Sequence, residues 1–163
     1  MPSFDIVSKV DPQTLDNVMN VAKKEILNRF DFRDSKSTIE LDKKNNVIEI
    51  VTENSMRVKA IEDAIITRMA KQGLDSKSLD YGDEEYASGN MVRKDIKIKI
   101  GVDKEAAKKI VKDIKDSKIK ATPAQMDEMI RVTSKKIDEL QEVIALLRKK
   151  DYGIPLQFVN MKS

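Results

Sequence analysis

The sequence predicts an α+β fold built from two consecutive βαββαβ units. The stretch Met91–Ile100 alternates isoleucine with lysine, the period-two pattern of a strand with one buried and one solvated face. Two short apolar runs, Thr38–Asp42 and Val47–Thr52, flank the turn residues Lys43–Asn46 and predict a hairpin. The order of strands and amphipathic helices before Met91 also recurs after it. Each unit would form a four-stranded antiparallel sheet with two helices on one face, the ferredoxin-like arrangement.

The first unit is expected to open with a strand at Ser3–Val10. Asp11 would then cap a helix that has Pro12 at its first position and runs to about Phe30. An apolar stripe at helical spacing supports this helix: Leu15, Val18, Met19, Ala22 and Ile26.

A second helix follows the hairpin. Either Asn54 or Ser55 can cap its start, and Gly73 suits the position just after its end. The segment Ser78–Tyr81 begins a weaker strand. The polar segment Asp83–Asn90 breaks the pattern, so no element is predicted there.

The second unit repeats this plan. Asp103 would cap its first helix, and Ser134 would cap its second. Its strands are expected at Lys118–Thr122, Met129–Thr133 and Leu156–Met161. A loop containing Pro123 would separate the first two of these strands.

Composition excludes several classes of function. The chain has no Cys and no His, which rules out disulfides, thiol catalysis, Cys/His zinc sites and imidazole-based triads. No secretory signal and no membrane-length apolar run is visible, so we expect a cytoplasmic protein with no membrane partner. Aromatic residues make up only 4% of the chain, which disfavours reading of bases mainly by stacking.

The net charge of +3 is unevenly distributed. Residues 1–90 hold 13 Lys/Arg and 17 Asp/Glu, whereas residues 91–163 hold 18 and 11. A basic half beside an acidic half suggests a phosphate-bearing partner for the second half. The alternative is that the lysine-rich helices are simply solvated.

Several segments resemble one family of bacterial proteins, the YajQ family. The segments that carry the resemblance are Met1–Ser8, Arg131–Lys136, Asp138–Gln141 and Pro155–Asn160. They follow the family's order, and the similarity covers essentially the whole chain. The sequence is therefore identified as a member of the YajQ family.

The resemblance implies a tandem of two RNP-like domains that exchange their N-terminal strands. The first domain would comprise residues 11–101, completed by strand 91–100, and the second would comprise residues 1–10 and 102–163. Family members are described as nucleotide-binding, some as binding cyclic di-GMP or nucleic acid. The sequence departs from the family at Ser134, where Gly is frequent, and at Ile137, where Arg is frequent. Loss of that Arg would remove one phosphate contact.

The expected ligand site is the open face of the second sheet, since no glycine-rich phosphate loop is present. If Ile130 and Val132 face the helices, Arg131 lies on the open face and offers a planar fork to phosphate. The alternative is that Arg131 pairs across strands with Asp5. Phe4 could stack on a base, although a core role is the more usual one for such a residue. The candidate ligand-binding residues are Arg131, Thr133, Lys135, Lys136, Lys118, Lys120, Phe4 and Asp5.

The predicted function is non-enzymatic binding of a mononucleotide or of cyclic di-GMP, without a cofactor or metal. Its phosphates would be held by the basic face of the C-terminal sheet. General RNA or DNA binding, and a protein-interaction module without a small ligand, remain open alternatives. An enzyme is not expected because no nucleophile and base pair is visible.

Overall fold

The computed structural model describes residues 1–163 and confirms the α+β class, with helices packed on antiparallel sheets. The α-helices are α1 (Pro12–Leu27), α2 (Ser55–Lys71), α3 (Lys104–Asp116) and α4 (Ile137–Arg148). The strands are β1 (Ser3–Val7), β2 (Thr38–Asp42), β3 (Val47–Thr52), β4 (Leu79–Tyr81), β5 (Glu85–Ala87), β6 (Met91–Ile98), β7 (Ala121–Met126), β8 (Met129–Ser134) and β9 (Gln157–Lys162). Short 3₁₀ turns lie at Phe30–Phe32 and Ser76–Ser78.

The chain divides into two compact units. Unit 1 comprises residues 1–9 and 100–163, and unit 2 comprises residues 10–99. The sheet of unit 1 has the strand order β7-β8-β1-β9, and that of unit 2 has the order β2-β3-β6-β4. All these neighbours are antiparallel, as in ferredoxin-like domains. In each sheet, the strand in the place of the first strand comes from the other half of the sequence.

The core of each unit lies between the sheet and its two helices. In unit 1 the helix-facing residues of the central strands are Phe4, Ile6, Ile130 and Val132, and all are fully buried. In unit 2, Ile96 and Ile98 of β6 join the core, as the alternation in this strand predicts. Strand β6 ends there, so Ile100 lies beyond the strand and is half exposed.

Unit 2 has a fifth strand that the sequence did not predict. The segment expected to be irregular contains β5, which pairs with the first residues of β6. The residues between the two strands include Gly89 and Asn90, both with positive φ. These polar residues form a tight turn, and the polar pattern of the segment is therefore that of a hairpin.

Two predictions near the end of the chain were wrong. Strand β7 runs from Ala121 to Met126, so Pro123 lies inside the strand and not in a loop. An edge strand tolerates proline, because its outer N–H groups have no partner to lose. Ser134 does not cap α4: it is the last residue of β8, and Lys136 precedes the helix as its N-cap.

Candidate functional site

The open face of the unit 1 sheet is organised in three rows of side chains that run across the strands. In the first row, Thr122 and Ser3 both lie opposite Thr133, and Lys162 lies opposite Ser3. In the second row, Ala124 and Asp5 both lie opposite Arg131, and Val159 lies opposite Asp5. The third row contains Met126, Met129, Val7 and Gln157. The face therefore grades from hydroxyls and cations to apolar side chains.

A cleft of about 440 Å³ opens at the first row, and we call it the lysine cleft. Three lysines line it, Lys120, Lys135 and Lys136, together with the hydroxyl-bearing residues Thr122 and Thr133. Its remaining lining residues are Met1, Ile119, Ala121, Ser134 and Glu139. The cleft thus brings together Thr133 and three of the five lysine and arginine residues that the sequence analysis selected.

The three lysines of this cleft are exposed, and their ammonium groups form no ion pair. Several cations elsewhere in the chain are paired with acids. In unit 2, for example, Arg57 pairs with Glu53 at 2.6 Å and Lys23 pairs with Glu40 at 2.9 Å. The lysine cleft is therefore a local concentration of uncompensated positive charge.

Ser134 joins the elements that form the base of the cleft. Its hydroxyl lies 2.9 Å from the Lys120 carbonyl oxygen and is hydrogen-bonded to the Glu139 carboxylate in the first turn of α4. The hydroxyl also accepts a 3.3 Å hydrogen bond from the Lys136 N–H. These contacts tie the entry to β7, the end of β8 and the start of α4 together.

Lys135 and Lys136 precede α4 and do not lie in its first turn, where the predicted cap at Ser134 would have placed them. The first turn instead carries Asp138 and Glu139, whose negative charges are stabilised by the positive end of the helix dipole. The two lysines therefore lie outside the helix and do not place positive charge in its first turn. They add positive charge beside a helix start that already favours anions.

Arg131 and Asp5 form a cross-strand ion pair on the second row, outside the lysine cleft. Arg131 Nε donates to Asp5 Oδ1 at 2.9 Å, and Asn160 Nδ2 donates to Asp5 Oδ2 at 3.0 Å. The hydrogen bond from Arg131 keeps the pKa of the Asp5 carboxyl below its ordinary value of 3.8, against the opposing effect of burial. Arg131 does lie on the open face, but its guanidinium is already partly engaged.

Asn160 is a participant that the sequence analysis missed. It has a positive φ of 57°, and the pairing of β1 with β9 shifts register beside it. Such a bulge re-aims a side chain, which here reaches the Asp5 carboxylate. An asparagine inside a predicted strand was the available signal, because Asn tolerates positive φ better than most residues.

The other two predicted residues lie away from the cleft. The Phe4 ring has no exposed surface and packs edge-to-face on Phe158, with ring centroids 6.0 Å apart. A ring in this position is a core residue and offers no face to a base. Lys118 is exposed in the turn after α3, with a φ of 63°, and does not line the lysine cleft.

Other kinds of site are not evident in the structure. No group of three or more His, Cys, Asp or Glu side chains converges where it could hold a metal ion. None of the helices has the length and apolar character needed to cross a membrane.

The fold and the cleft define a class of protein, namely a pair of ferredoxin-like α+β units, one of which carries a cationic cleft beside its open sheet. A model of the family described as "Nucleotide-binding protein YajQ-like" matches residues 2–162. The chain therefore belongs to the YajQ-like family.

Relatives from several bacteria match over their full length. A protein of Cytophaga hutchinsonii is 68% identical over 162 residues, covering 99% of this chain and 100% of the relative. Proteins of Geotalea daltonii and Oleidesulfovibrio alaskensis are 49% and 48% identical over 163 residues, with complete coverage of both chains. Each of these three relatives is named a nucleotide-binding protein.

Proposed function

We propose that this chain is a non-catalytic nucleotide-binding protein whose lysine cleft holds the phosphate groups of the ligand. The observation that carries the proposal is the convergence of Lys120, Lys135 and Lys136 without acidic partners in a cleft of about 440 Å³. The names of the relatives support the same class of ligand.

The chemistry of the cleft suits a phosphate group. Lysine ammonium groups supply positive charge, and the hydroxyls of Thr122 and Thr133 can donate to phosphate oxygens. The start of α4 adds the positive end of a helix dipole. Glu139 is the one acidic residue that lines the cleft, and its carboxylate is bonded to the Ser134 hydroxyl. Three cations and one occupied carboxylate leave a net attraction for anions.

Arg131 would supply a second contact on the sheet. It lies two residues from Thr133 along β8, a distance of roughly 7 Å at 3.4 Å per residue. Asp5 accepts hydrogen bonds from Nε at 2.9 Å and from Nη2 at 3.4 Å, and Nη1 forms no hydrogen bond with that carboxylate. A mononucleotide would use the cleft alone or with Arg131. A cyclic dinucleotide such as cyclic di-GMP would place one of its two phosphates at each position.

Substitution of the cleft lysines tests the proposal. We expect Lys135→Ala combined with Lys136→Ala to weaken binding of nucleotides about tenfold or more, the equivalent of about 1.4 kcal/mol, because two charge-assisted contacts are removed. Calorimetric titration with a nucleoside monophosphate, a nucleoside triphosphate and cyclic di-GMP would measure the effect. Arg131→Ala, titrated alongside, would show which of these ligands reaches the second row.

Lys109→Ala provides the matched control. Lys109 is exposed on α3 and does not line the lysine cleft, so its removal changes net charge alone. Equal weakening by the control and by the cleft variant would point to a diffuse charge effect. Nucleotide binding that survives both Arg131→Ala and the double lysine variant would exclude the site.

A second groove of about 350 Å³ favours nucleic acid as a further candidate ligand. Lys108, Lys112 and Lys115 line it from α3, facing Pro123 and Gln125 of β7, and none of these lysines has an ion-pair partner. A general RNA- or DNA-binding role predicts that affinity for single-stranded RNA falls steeply with salt, with a slope proportional to the phosphates neutralised. Gel retardation between about 50 and 200 mM salt would measure that slope, and a flat response would exclude this role.

A further inference from the structure

The open face of the unit 1 sheet presents a flat cationic group, the Arg131 guanidinium, next to the lysine cleft but outside it. Arg131 is two residues along β8 from Thr133 of the cleft, roughly 7 Å at 3.4 Å per residue. The phosphate and the base of a mononucleotide are joined through one ribose, which can bridge this separation. Arg131 is therefore within reach of the base of a nucleotide whose phosphate lies in the cleft.

Asp5, directly opposite on β1, holds this guanidinium in a fixed orientation. Asp5 Oδ1 accepts a hydrogen bond from Arg131 Nε at 2.9 Å, and Oδ2 accepts one from Nη2 at 3.4 Å. Two such hydrogen bonds keep the guanidinium and the carboxylate near one plane. Asn160 Nδ2 donates to Asp5 Oδ2 at 3.0 Å and so holds the carboxylate from β9. The guanidinium is thus preorganised and loses little freedom when a ligand binds.

The ion pair uses one edge of the guanidinium and leaves its flat faces without a partner. The Arg131 side chain is 44% exposed and that of Asp5 is 5% exposed, so a ligand on this row meets the guanidinium and not the carboxylate. The other arginine of unit 1, Arg148, lies over the Phe158 ring, 5.6 Å from its centroid. No aromatic ring of the chain covers Arg131.

The residues beside Arg131 leave room for a flat ring. Ala124 lies opposite Arg131 on β7, and its side chain is a single exposed methyl group. None of the side chains in the three rows is aromatic, so this face offers no aromatic ring to a ligand. A guanidinium can stack on a ring through its face while its edge stays bonded to a carboxylate.

We propose that Arg131 is the stacking platform for the base of the nucleotide whose phosphate occupies the lysine cleft, and that it favours purines. The base lies on the guanidinium face beside Ala124, as unpaired bases stack on arginine side chains in RNA recognition. A purine is favoured over a pyrimidine because its two fused rings cover more of the guanidinium. A mononucleotide then contacts Arg131 through its base and not through a second phosphate. This inference rests on the proposed function, because it places the phosphate in the lysine cleft.

Matched ligands separate the base from the phosphate. We expect adenosine and guanosine monophosphates to bind the full chain about tenfold more tightly than ribose 5-phosphate, which has no base. Uridine monophosphate should bind with an affinity between these limits. Each of these ligands carries one phosphate on a ribose, so differences among them come from the base. Calorimetric titration measures the order.

Arg131→Lys separates stacking from charge. Lysine keeps a cation beside the buried Asp5 carboxylate but has no planar face. We expect this variant to bind ribose 5-phosphate within about twofold of the wild type, and to bind the purine monophosphates no more tightly than ribose 5-phosphate. Thermal unfolding of the variant checks that the fold is preserved.

A second variant blocks the platform and leaves Arg131 in place. In Ala124→Phe the new ring lies across the strands from Arg131, close enough to cover the guanidinium. The preference for purines should again be lost, with binding of ribose 5-phosphate unchanged. Arg148→Lys is the matched control, because Arg148 lies on α4 and outside the lysine cleft. It should leave the order of the ligands as in the wild type.

Nuclear magnetic resonance of the Arg131 Nε–H, which is held by its hydrogen bond to Asp5, locates the base directly. The ring current of a stacked base shifts this proton upfield, whereas a phosphate bonded to the guanidinium shifts the guanidinium protons downfield. We expect an upfield shift with adenosine monophosphate and none with ribose 5-phosphate.

The outcomes distinguish this proposal from the proposed function. If the wild-type chain binds ribose 5-phosphate and the purine monophosphates equally, the platform is overturned while the phosphate cleft stands. If Arg131→Lys keeps the preference for purines, the base lies elsewhere, and the platform is again overturned. If Arg131→Lys weakens ribose 5-phosphate as much as the nucleotides, Arg131 contacts the phosphate and not the base. If none of these ligands binds, the proposed function fails, and the platform fails with it.

Discussion

The Glu53 carboxylate of unit 2 accepts hydrogen bonds from the loop before β2 and from the first turn of α2. Ser35 Oγ donates at 2.5 Å, the Lys36 N–H at 2.8 Å and Arg57 Nη1 at 2.6 Å. Arg57 also lies over the Phe32 ring, 5.4 Å from its centroid. One side chain thus fixes the loop between α1 and β2 to the start of α2.

These contacts make the stability of unit 2 depend on the ionisation of Glu53. Burial alone would raise the pKa of this carboxyl, but the hydrogen bonds from Ser35, Lys36 and Arg57 outweigh burial and lower it from 4.5 to about 2. Because the pKa of this carboxyl is lower in the folded state than in the unfolded state, its ionised form stabilises the folded protein fully at pH values above the unfolded-state pKa. That contribution is lost as the pH falls from about 4.5 to about 2.

We therefore expect Glu53→Gln to lower the free energy of unfolding by roughly 2 kcal/mol at pH 7. The difference from the wild type should shrink below pH 4.5 and become small near pH 2, where the wild-type carboxyl is half protonated in the folded state. Urea unfolding at several pH values measures it. Asp63→Asn, whose exposed carboxylate pairs with Lys59, is the control. A pH-independent difference would show that Glu53 acts through packing and not through its charge.

Residue-level predictions were correct where the period of two along a strand determines which face of the sheet a side chain lies on. Alternation along β8 placed Arg131 on the open face and Ile130 in the core, as the structure confirms. Alternation could not identify partners contributed by other elements. Lys94 lies on the helix side of β6, where it pairs with Glu62 of α2 at 3.0 Å and covers the Tyr81 ring. That pair depends on how α2 packs against the sheet, which no local pattern specifies.

At the scale of elements, predicted boundaries were accurate where caps and turns carry strong local chemistry. The hairpin strands β2 and β3 lie where they were predicted, and Asn46 adopts the positive φ expected of its turn. The Asn54 side chain accepts a hydrogen bond from the Arg57 N–H, and Asp103 accepts one from the Ala106 N–H. These caps need only residues within three positions, so the sequence alone specifies them.

Element boundaries were wrong where a tertiary contact competes with a local preference. Ser134 has the side chain of an N-cap, yet its hydroxyl is used by the Lys120 carbonyl and by Glu139. Pro123 reads as a loop residue, yet edge pairing with Val132 keeps it in β7. Both errors fall beside the lysine cleft. The predicted site residues converge only in part, because Lys118, Phe4, Arg131 and Asp5 lie outside the lysine cleft.

At the scale of the whole molecule, strand exchange redistributes charge between the folding units. Unit 1 contains 15 Lys/Arg and 11 Asp/Glu, a net charge of +4, and unit 2 contains 16 and 17, a net charge of −1. The two halves of the sequence, divided before Met91, differ far more, at +7 and −4. Strand β6 brings Arg93, Lys94 and Lys97 into the sheet of unit 2, where Arg93 and Lys94 are paired with acids. The uncompensated charge remains in unit 1, beside the cleft.

The exchange also predicts which part of the chain folds alone. Residues 10–99 are contiguous and contain every strand of the unit 2 sheet, including the central strand β6. Residues 1–90, which the repeat in the sequence would suggest, lack β6 but retain β1, whose partners β8 and β9 are then missing. Loss of β6 removes the buried Ile96 and Ile98, each worth about 1.5–3 kcal/mol. It also leaves β4 without a partner and β3 paired with β2 alone.

We therefore expect the 10–99 fragment to unfold cooperatively on heating and to give a dispersed amide spectrum. The 1–90 fragment, which has the same length, should show neither property. Circular dichroism and nuclear magnetic resonance of the two fragments would make the comparison. Ile96→Asp in the 10–99 fragment is the internal control, since a charge in the core should abolish its cooperative transition. If the 1–90 fragment folds as stably as the 10–99 fragment, β1 can replace β6 in the sheet of unit 2. The sequences of these two strands would then not determine which sheet each one joins.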